Sequence, residues 1–567
     1  MDSSPPWADH DRLALRSAGA LAEVSAELAA LQARLASAPD WRPAEPLLAE
    51  AAWVRQQLDQ MAASWSGKLV VALVGPSGAG KSTLLNALAG REVSRTGLAR
   101  PTTQGIIAFV AQAEDVESLR PRWGGGEVQV QVEPTAQGLQ HLVLVDAPDT
   151  NTTPAGLVAL GQALDTADVV VAVFAAQNTR LHDNIRFLAP YLRRLPAASV
   201  VPVINMVDRA PLDALREQVL PDLQQTLAEE WGLQGQRIYL VSARASLPGA
   251  TFAADELPLH TVNEFGALRR FLFEALNTAT QVVDRRLARA RRLVEMVRKD
   301  LDAALDQHRS ALEQARQQLA RLAQTTSDAL RQALESRAGE LRGLDLHAAL
   351  YGRLSSRWWG PVGWLVAIWG VLVRGAAWVA GIGRRGRLLG SDEGDSALLI
   401  DVAGVEDALA QLYAERWPPV ADALAAAGWA GMRDRQRWET EARATRERLA
   451  ARTPLALSAA LDVSAGRLAH PLLQLVLNAP VLALLGWVGY QTVAAFATAR
   501  YLSGSYFQNA GIALLAVWLA AFVVLQVIVS LAVRLGLRRR AARELAGAAT
   551  WRLAADLAAQ IDALLAR

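Results

Sequence analysis

The sequence predicts an α/β domain with a mostly parallel sheet and helices on both faces, joined to a long α-helical stalk or bundle and a transmembrane helical hairpin. Three observations carry that reading. Short β-branched runs alternate with helical patterns over residues 67–262. From 264 to about 344 there is no proline, and glycine occurs only at Gly266, Gly339 and Gly343. Residues 472–499 and 511–533 each lack any charged side chain and exceed the roughly 20 apolar residues that span a bilayer.

Each element follows from its own pattern. Residues 11–37 and 43–64 have helical apolar spacing, the second with Pro43 near its start. The runs at 69–75, 105–111, 127–133, 141–147, 168–176, 199–208 and 237–243 read as strands. Only 127–133, EVQVQVE, alternates as an edge or half-exposed strand does; the others are apolar throughout, as strands covered on both faces are. Val283, Leu287, Ala290, Val294, Val297, Leu301 and Ala304 step in fours and threes, the seam of a coiled coil or long bundle. The seam resumes at Leu312, Ala315, Leu319 and Leu322, giving one long helix or one that folds back near Gln324-Thr325-Thr326. Residues 400–468 are helical again, with breaks expected at Pro418-Pro419 and Gly428, and a last amphipathic helix covers about 540–566.

The two uncharged stretches are separated by RYLSGSYFQNA and followed by Arg534, Arg538, Arg539, Arg540 and Arg543. They read as a two-helix hairpin with a short translocated loop, its basic C-terminal flank kept in the cytosol. Two buried core helices are the alternative, against which their length and lack of charge argue. Residues 358–383 differ. Trp358, Trp359, Trp364, Trp369 and Trp378 crowd there, Arg374 interrupts the run, and Arg353, Arg357, Arg384, Arg385 and Arg387 flank it. A central arginine costs about 2.5–3.5 kcal/mol on insertion scales. An interfacial or re-entrant element, with Trp rings at headgroup level, is therefore preferred to a third span.

Composition sets outer limits. A chain of 567 residues holds two to four domains. It is 52% hydrophobic and only 20% charged, which leans toward membrane. A net charge of +2 gives no reason to expect a nucleic-acid partner. The absence of cysteine excludes disulfides, thiol catalysis and cysteine metal sites. The opening MDSSPPWADHDR is acidic without an apolar core, unlike a secretory signal.

The chemistry begins at GPSGAGKST. Gly75, Gly80, Lys81 and Ser82 satisfy G-x-x-x-x-G-K-[ST] between a predicted strand and a predicted helix. Gly75, Ser77, Gly78, Ala79, Gly80, Lys81, Ser82 and Thr83 would turn backbone N–H groups onto phosphate oxygens, helped by the helix N-terminus. Lys81 would neutralise the β/γ-phosphates and Ser82 would ligate Mg²⁺. An ABC-type ATPase would need an LSGGQ-like signature before a strand ending Asp-Glu. The chain has no such stretch, and HLVLVDAPD lacks an acidic residue directly after Asp146.

Further parts follow in order. RPTTQG supplies Thr102 and Thr103, Asp146 ends a strand, INMVDR supplies Asn205 and Asp208, and LVSAR supplies Ser242-Ala243. The Asp208 carboxylate matches the N1–H and 2-amino donors of guanine, which adenine lacks. A simple turn after the strand is the alternative for Asn205 and Asp208. These motifs resemble the Era/dynamin branch of P-loop GTPases. As a whole the layout resembles a bacterial dynamin-like or mitofusin-type membrane GTPase.

The resemblance implies an α/β P-loop GTPase domain and GTP/GDP with Mg²⁺ as ligands. It implies Lys81, Thr103 and Gln104 in catalysis, and Ser82, Thr103 and Asp146 at the metal. Phosphate-loop residues 75 and 77–83, Asn205, Asp208, Ser242 and Ala243 would bind nucleotide. The expected segments are 1–66 (helices packing on the stalk), 67–262 (GTPase domain), 263–352 (stalk), 353–390 (membrane element), 391–470 (stalk), 471–534 (hairpin) and 535–567 (C-terminal helix). The expected setting is the cytoplasmic membrane, multi-pass, with the GTPase domain and C-terminus in the cytosol. The expected partners are the bilayer and a second copy through the GTPase domain. The implied activity is slow GTP hydrolysis, coupling dimerisation to membrane tethering or remodelling. An Era-like regulator of a membrane partner and a nucleotide-sensing scaffold with little hydrolysis are the alternatives.

The sequence departs from the family pattern at three points. Asp149 stands where D-x-x-G has glycine, Thr150 follows it where some relatives have glutamine, and Gly78 replaces a cation-binding Ser or Asn. Asp149 is expected to point away from the phosphates or to reach Mg²⁺ through water. Arg95 and Arg100 are candidates for an arginine acting in cis or trans, with merely solvated loop arginines as the alternative.

Overall fold

A computed structural model describes the chain except residues 1–5, 64–66, 95–104, 118, 125–127, 151–152, 178–180, 253–255, 338–342, 386–402, 549–550 and 567. All seven expected runs are strands: β1 (Leu69–Val74), β2 (Ile106–Val110), β3 (Val128–Val132), β4 (Leu142–Asp146), β5 (Val169–Ala175), β6 (Val200–Asn205) and β7 (Tyr239–Val241). They form one sheet in the order β3-β2-β4-β1-β5-β6-β7. Every pairing is parallel except β2 with β4. The alternating run EVQVQVE becomes β3, the half-exposed edge strand.

Two compact units divide the chain, Met1–Pro39 with Pro43–Asp306, and Asp40–Arg42 with Gln307–Arg567. The helices of the first unit are α1 (Pro6–Ala36), α2 (Ala44–Ala63), α3 (Lys81–Ala89), α4 (Pro154–Thr166), α5 (Leu181–Leu192), α6 (Leu212–Ala214), α7 (Leu220–Trp231), α8 (Phe265–Arg270) and the start of α9 (Ala279–Arg337). Alternate residues of β1 serve two cores. Val70, Ala72 and Val74 pack with Leu160, Leu188 and Leu227 on one face, while Leu69, Val71 and Leu73 pack with Leu84, Leu88 and Leu268 on the other. A sheet covered on both faces explains why its strands show no polar alternation.

Arginines on α9 hold the edge of the sheet remote from the strand ends that carry the motifs. Arg286 donates to Lys68 O at 2.8 Å and pairs with Asp168 Oδ2 at 3.4 Å. Arg289 donates to Ala167 O and Asp165 O, both at 2.6 Å, so it grips the C-terminal carbonyls of α4. Burial pushes the Arg289 guanidinium down to about 10, leaving it charged at neutral pH.

The second unit is helical: the rest of α9, α10 (Gly343–Leu354), α11 (Gly360–Arg385), α12 (Ala403–Ala426), α13 (Arg435–Leu468), α14 (Pro471–Ala497), α15 (Gly504–Ala532), α16 (Arg538–Ala548) and α17 (Arg552–Leu565). One open alternative is decided and three local expectations are corrected by the helices. First, α9 continues through Gln324-Thr325-Thr326 without folding back; the Thr325 hydroxyl bonds back to Leu322 O at 3.0 Å and Thr326 is buried. Second, α12 runs through Pro418-Pro419 without the break expected there, whereas the break expected at Gly428 is present between α12 and α13. Trp417, Val420, Ala421 and Leu424 are buried around the prolines, and Trp417 Nε1 donates to Met432 O at 2.9 Å, so packing outweighs the lost N–H donors. Third, the single C-terminal helix is two, α16 and α17. Fourth, the hairpin connection is shorter than expected, because α15 starts at Gly504.

Helices α14 and α15 are long and apolar enough to cross a membrane. Leu472, Val476, Leu485 and Val493 on α14, and Ile512, Leu519, Val523 and Val527 on α15, are exposed. Such uncovered apolar surface is not that of core helices. Two polar residues of α14, Gln474 and Asn478, face inward. Gln474 accepts from Trp359 N and Asn478 accepts from Val362 N, each at 3.0 Å, capping the start of α11.

Replacing Arg289 by alanine removes two charge-assisted bonds and leaves a cavity at the end of α4. It is expected to cost about 3 kcal/mol and to lower the melting temperature of the nucleotide-free protein by several degrees. Arg292→Ala removes one exposed bond to Arg193 O and should cost under about 1 kcal/mol. Equal melting temperatures for the two variants would contradict this account.

Candidate nucleotide site

The motif residues converge at the carboxyl ends of the strands, where open α/β sheets bind ligands. Leu73 of β1 is in register with Asp146 of β4, and Asn205 of β6 with Val241 of β7. The phosphate-loop residues 75–80 form the turn from β1 into α3, which begins at Lys81 and continues through Ser82 and Thr83. Two of its glycines are obligatory. Gly75 has φ 151°, and a Cβ there would meet Val173 O at 2.2 Å. Gly80 has φ 83°, and a Cβ there would meet Asn205 Nδ2 at 2.3 Å.

Lys81 is buried, with 4% of its side chain exposed. Its ammonium donates to Gly75 O at 3.0 Å, to Pro76 O at 3.4 Å, and to Asp149 Oδ1. Asp149 therefore does not point away from the phosphate loop: it is buried against Lys81. The reason is local. Thr150 N donates to Gly75 O at 3.4 Å, and Thr150 Oγ1 donates to Asn184 Oδ1 of α5 at 2.6 Å. These bonds tie the loop after β4 to the phosphate loop and leave Asp149 facing the ammonium.

Asp146 is fully buried. It accepts from Ser82 Oγ at 2.7 Å and from Ser94 Oγ at 3.0 Å, both on Oδ2. Burial raises its pKa, opposed by the charge of Lys81 and by the two hydroxyls, and reinforced by Asp149. Ser94 was not foreseen. It is placed by Asn86 of α3, whose Oδ1 accepts from Val93 N and Ser94 N at 2.8 Å and whose Nδ2 donates to Ser94 O at 2.7 Å.

Asn205 joins three loops. Its Nδ2 donates to Ala79 O at 2.9 Å, and its Oδ1 accepts from Ala243 N at 3.0 Å. Met206 follows in the left-handed region, φ 62°, and Asp208 is buried two residues on. Asn263, also unforeseen, clamps Ser242, accepting from its N–H at 3.1 Å and donating to its carbonyl at 3.2 Å. Arg244 pairs with Glu256 at 2.6 Å beside this loop. Thr103, Gln104, Arg95, Arg100 and Thr102 lie outside the described residues.

The site is built for a polar occupant. Asp146 Oδ1, Asp149 Oδ2 and Ser242 Oγ are buried without a hydrogen-bond partner at this one end of the sheet. Asp146 Oδ1 is a hard oxygen suited to Mg²⁺ or its bound water, and Ser242 Oγ suits a base edge. The residues present thus fit a magnesium nucleotide. Among the described residues no cluster of three or more His, Cys, Asp or Glu could hold a metal.

Comparison with known proteins agrees on the domain. Residues 70–206 match the family model described as 50S ribosome-binding GTPase. That stretch holds the phosphate loop, Asp146 and Asn205, so the sheet is a P-loop GTPase domain; Asp208 and Ser242 lie beyond it. No curated protein matches the chain. A solved bacterial dynamin pair, described as oligomerised and tethering membranes, is 13% identical, covering 54% of this chain and 60% of that one, with TM-score 0.27. The chain thus spans about three fifths of that relative. Toc33 from Arabidopsis thaliana, solved with Mg²⁺ and GMPPNP, is 12% identical over 41% of this chain and 93% of its own, with TM-score 0.26. Era from Aquifex aeolicus, solved with GDP·AlF₄⁻, is 21% identical over 34% and 62%, with TM-score 0.22. At these scores the likenesses add nothing to the reading of the site.

Asn86→Ala removes three hydrogen bonds from a buried side chain and should cost about 2–3 kcal/mol, whereas Ser94→Ala should cost about 1 kcal/mol. Thermal melts of the nucleotide-free protein test both. A silent Asn86→Ala would show that the segment at Val93-Ser94 is not held as described.

Proposed function

We propose that this protein is a membrane-anchored GTPase that binds GTP and GDP with Mg²⁺ and hydrolyses GTP slowly. The observation that carries the reading is the meeting of Lys81, Ser82, Asp146, Asn205, Asp208 and Ser242 at one end of a P-loop GTPase sheet, in a chain with two membrane-length helices. In this reading backbone N–H groups of residues 77–83 and the N-terminus of α3 hold the phosphates. Lys81 neutralises them, and Ser82 and Asp146 hold the magnesium. Asp208 accepts from the guanine edge, and Asn205, Ser242 and Ala243 shape the base pocket. Thr103 and Gln104 are proposed to reach the metal and the attacking water.

Helices α14 and α15 form the anchor, placed in the cytoplasmic membrane with the GTPase domain and C-terminus in the cytosol. The exposed Trp364, Ile368, Trp369 and Leu372 of α11 lie at the lipid boundary. A dynamin-like action follows: GTPase domains of two copies pair, and the helical unit transmits that pairing to the bilayer as tethering or remodelling. The burial of Asp149 on Lys81 favours a second reading, a membrane scaffold that senses nucleotide with little turnover.

Turnover of GTP and ATP by the purified protein, with and without liposomes, tests the proposal. GTP should be hydrolysed in preference to ATP, faster at higher protein concentration and with lipid. Lys81→Ala should abolish turnover, and Asp208→Asn should lower the preference for GTP by 10-fold or more, on the order of a lost buried charged hydrogen bond. Preferred ATP hydrolysis with a silent Asp208→Asn would sink the assignment.

A further inference from the structure

We infer that Asp149 is an internal stand-in for the γ-phosphate, so that the resting site favours the diphosphate over the triphosphate; the inference rests on the nucleotide reading above. Lys81 has three ammonium donors. The chain itself uses all three, on Gly75 O, Pro76 O and Asp149 Oδ1. Only Asp149 is an anion, and it stands on the lysine that otherwise serves the β- and γ-phosphates.

The charge count sharpens the point. Lys81, Asp146 and Asp149 are all buried and together carry one net negative charge when ionised. On this inference a β-phosphate takes up the Lys81 donors now spent on Gly75 O and Pro76 O and leaves the Lys81–Asp149 contact in place. A γ-phosphate needs the position that Asp149 holds. The carboxylate must then leave, or stay beside a second anion in a poorly solvated site.

Leaving is resisted by construction. Thr150 is fastened to Gly75 O and to Asn184, so the loop cannot swing at its next residue without breaking those bonds. A glycine at 149 would present only a backbone N–H there, a donor that attracts the γ-phosphate. Asp149 keeps that donor but sets a competing acceptor beside it. Its second oxygen, buried and unpartnered, gives the carboxylate no alternative bond to hold it elsewhere.

The experiment is equilibrium binding of fluorescent GDP and fluorescent GMPPNP, with Mg²⁺, to the full-length protein in detergent. Wild type is compared with Asp149→Asn and Asp149→Gly, and a melting curve for each variant reports folding. Wild type should bind GDP more tightly than GMPPNP. Both variants should gain on the order of 10-fold or more in GMPPNP affinity, with GDP affinity changed by less than about threefold. Asn keeps the shape and removes the charge, so it stays informative where Gly loosens the loop. An unchanged ratio of the two affinities in Asp149→Asn overturns the inference, as does an equal loss of both, which marks Asp149 as a magnesium partner. Failure of wild type and variants to bind either nucleotide instead overturns the guanine-nucleotide reading itself.

Discussion

The central strands of the sheet are buried on both faces, and this constraint decides where the chain can keep polar groups. β1, β4 and β6 have no exposed residue. A polar side chain within them would lack partners and cost several kcal/mol. Polar chemistry is therefore displaced to the strand ends, where Asp146 closes β4 and Asn205 closes β6. Parallel pairing brings those ends to one edge of the sheet, so residues far apart in sequence meet without any loop having to search for another.

At that edge the groups satisfy one another. Asn205 links the phosphate loop to the loop after β7, and Asn86 links α3 to Ser94, which in turn reaches Asp146. Lys81 and Asp149 neutralise each other in a setting where either alone would be strongly unfavourable. The unpartnered oxygens of Asp146, Asp149 and Ser242 are the remainder, and in the proposed reading a magnesium nucleotide meets those of Asp146 and Ser242. At the opposite edge, Arg286 and Arg289 of α9 hold β1 and the end of α4. The same α4 begins just after Asp149 and Thr150, so the helix leaving the site is fixed at its far end by the long helix.

Much of this was legible in the sequence. Six strands announced themselves as apolar β-branched runs, and the seventh, EVQVQVE, gave away the edge because alternation is what one exposed face requires. Asp146, Asn205, Asp208 and Ser242 were legible because strand-end motifs carry fixed spacing. Ser94, Asn184 and Asn263 were not: single polar residues in loops or on helix faces have no period, and only tertiary contact gives them a task. The direction of Asp149 was equally hidden, since it depends on Thr150 finding Asn184 on α5. Pro418-Pro419 misled for the converse reason. Local propensity marks a break, but the buried Trp417 and its neighbours hold the helix together.

In the helical unit, Gln474 and Asn478 of α14 face α11 and spend their side chains on its unpaired N–H groups, which leaves the outer faces of α14 and α15 apolar. The strand-end network of the GTPase domain is tested most directly by one structure, that of the protein with Mg²⁺ and GDP bound. The account predicts phosphates on the N–H groups of residues 77–83, the metal beside Ser82 and Asp146, and the guanine edge on Asp208. A nucleotide bound elsewhere, or a base turned away from Asp208, would contradict it.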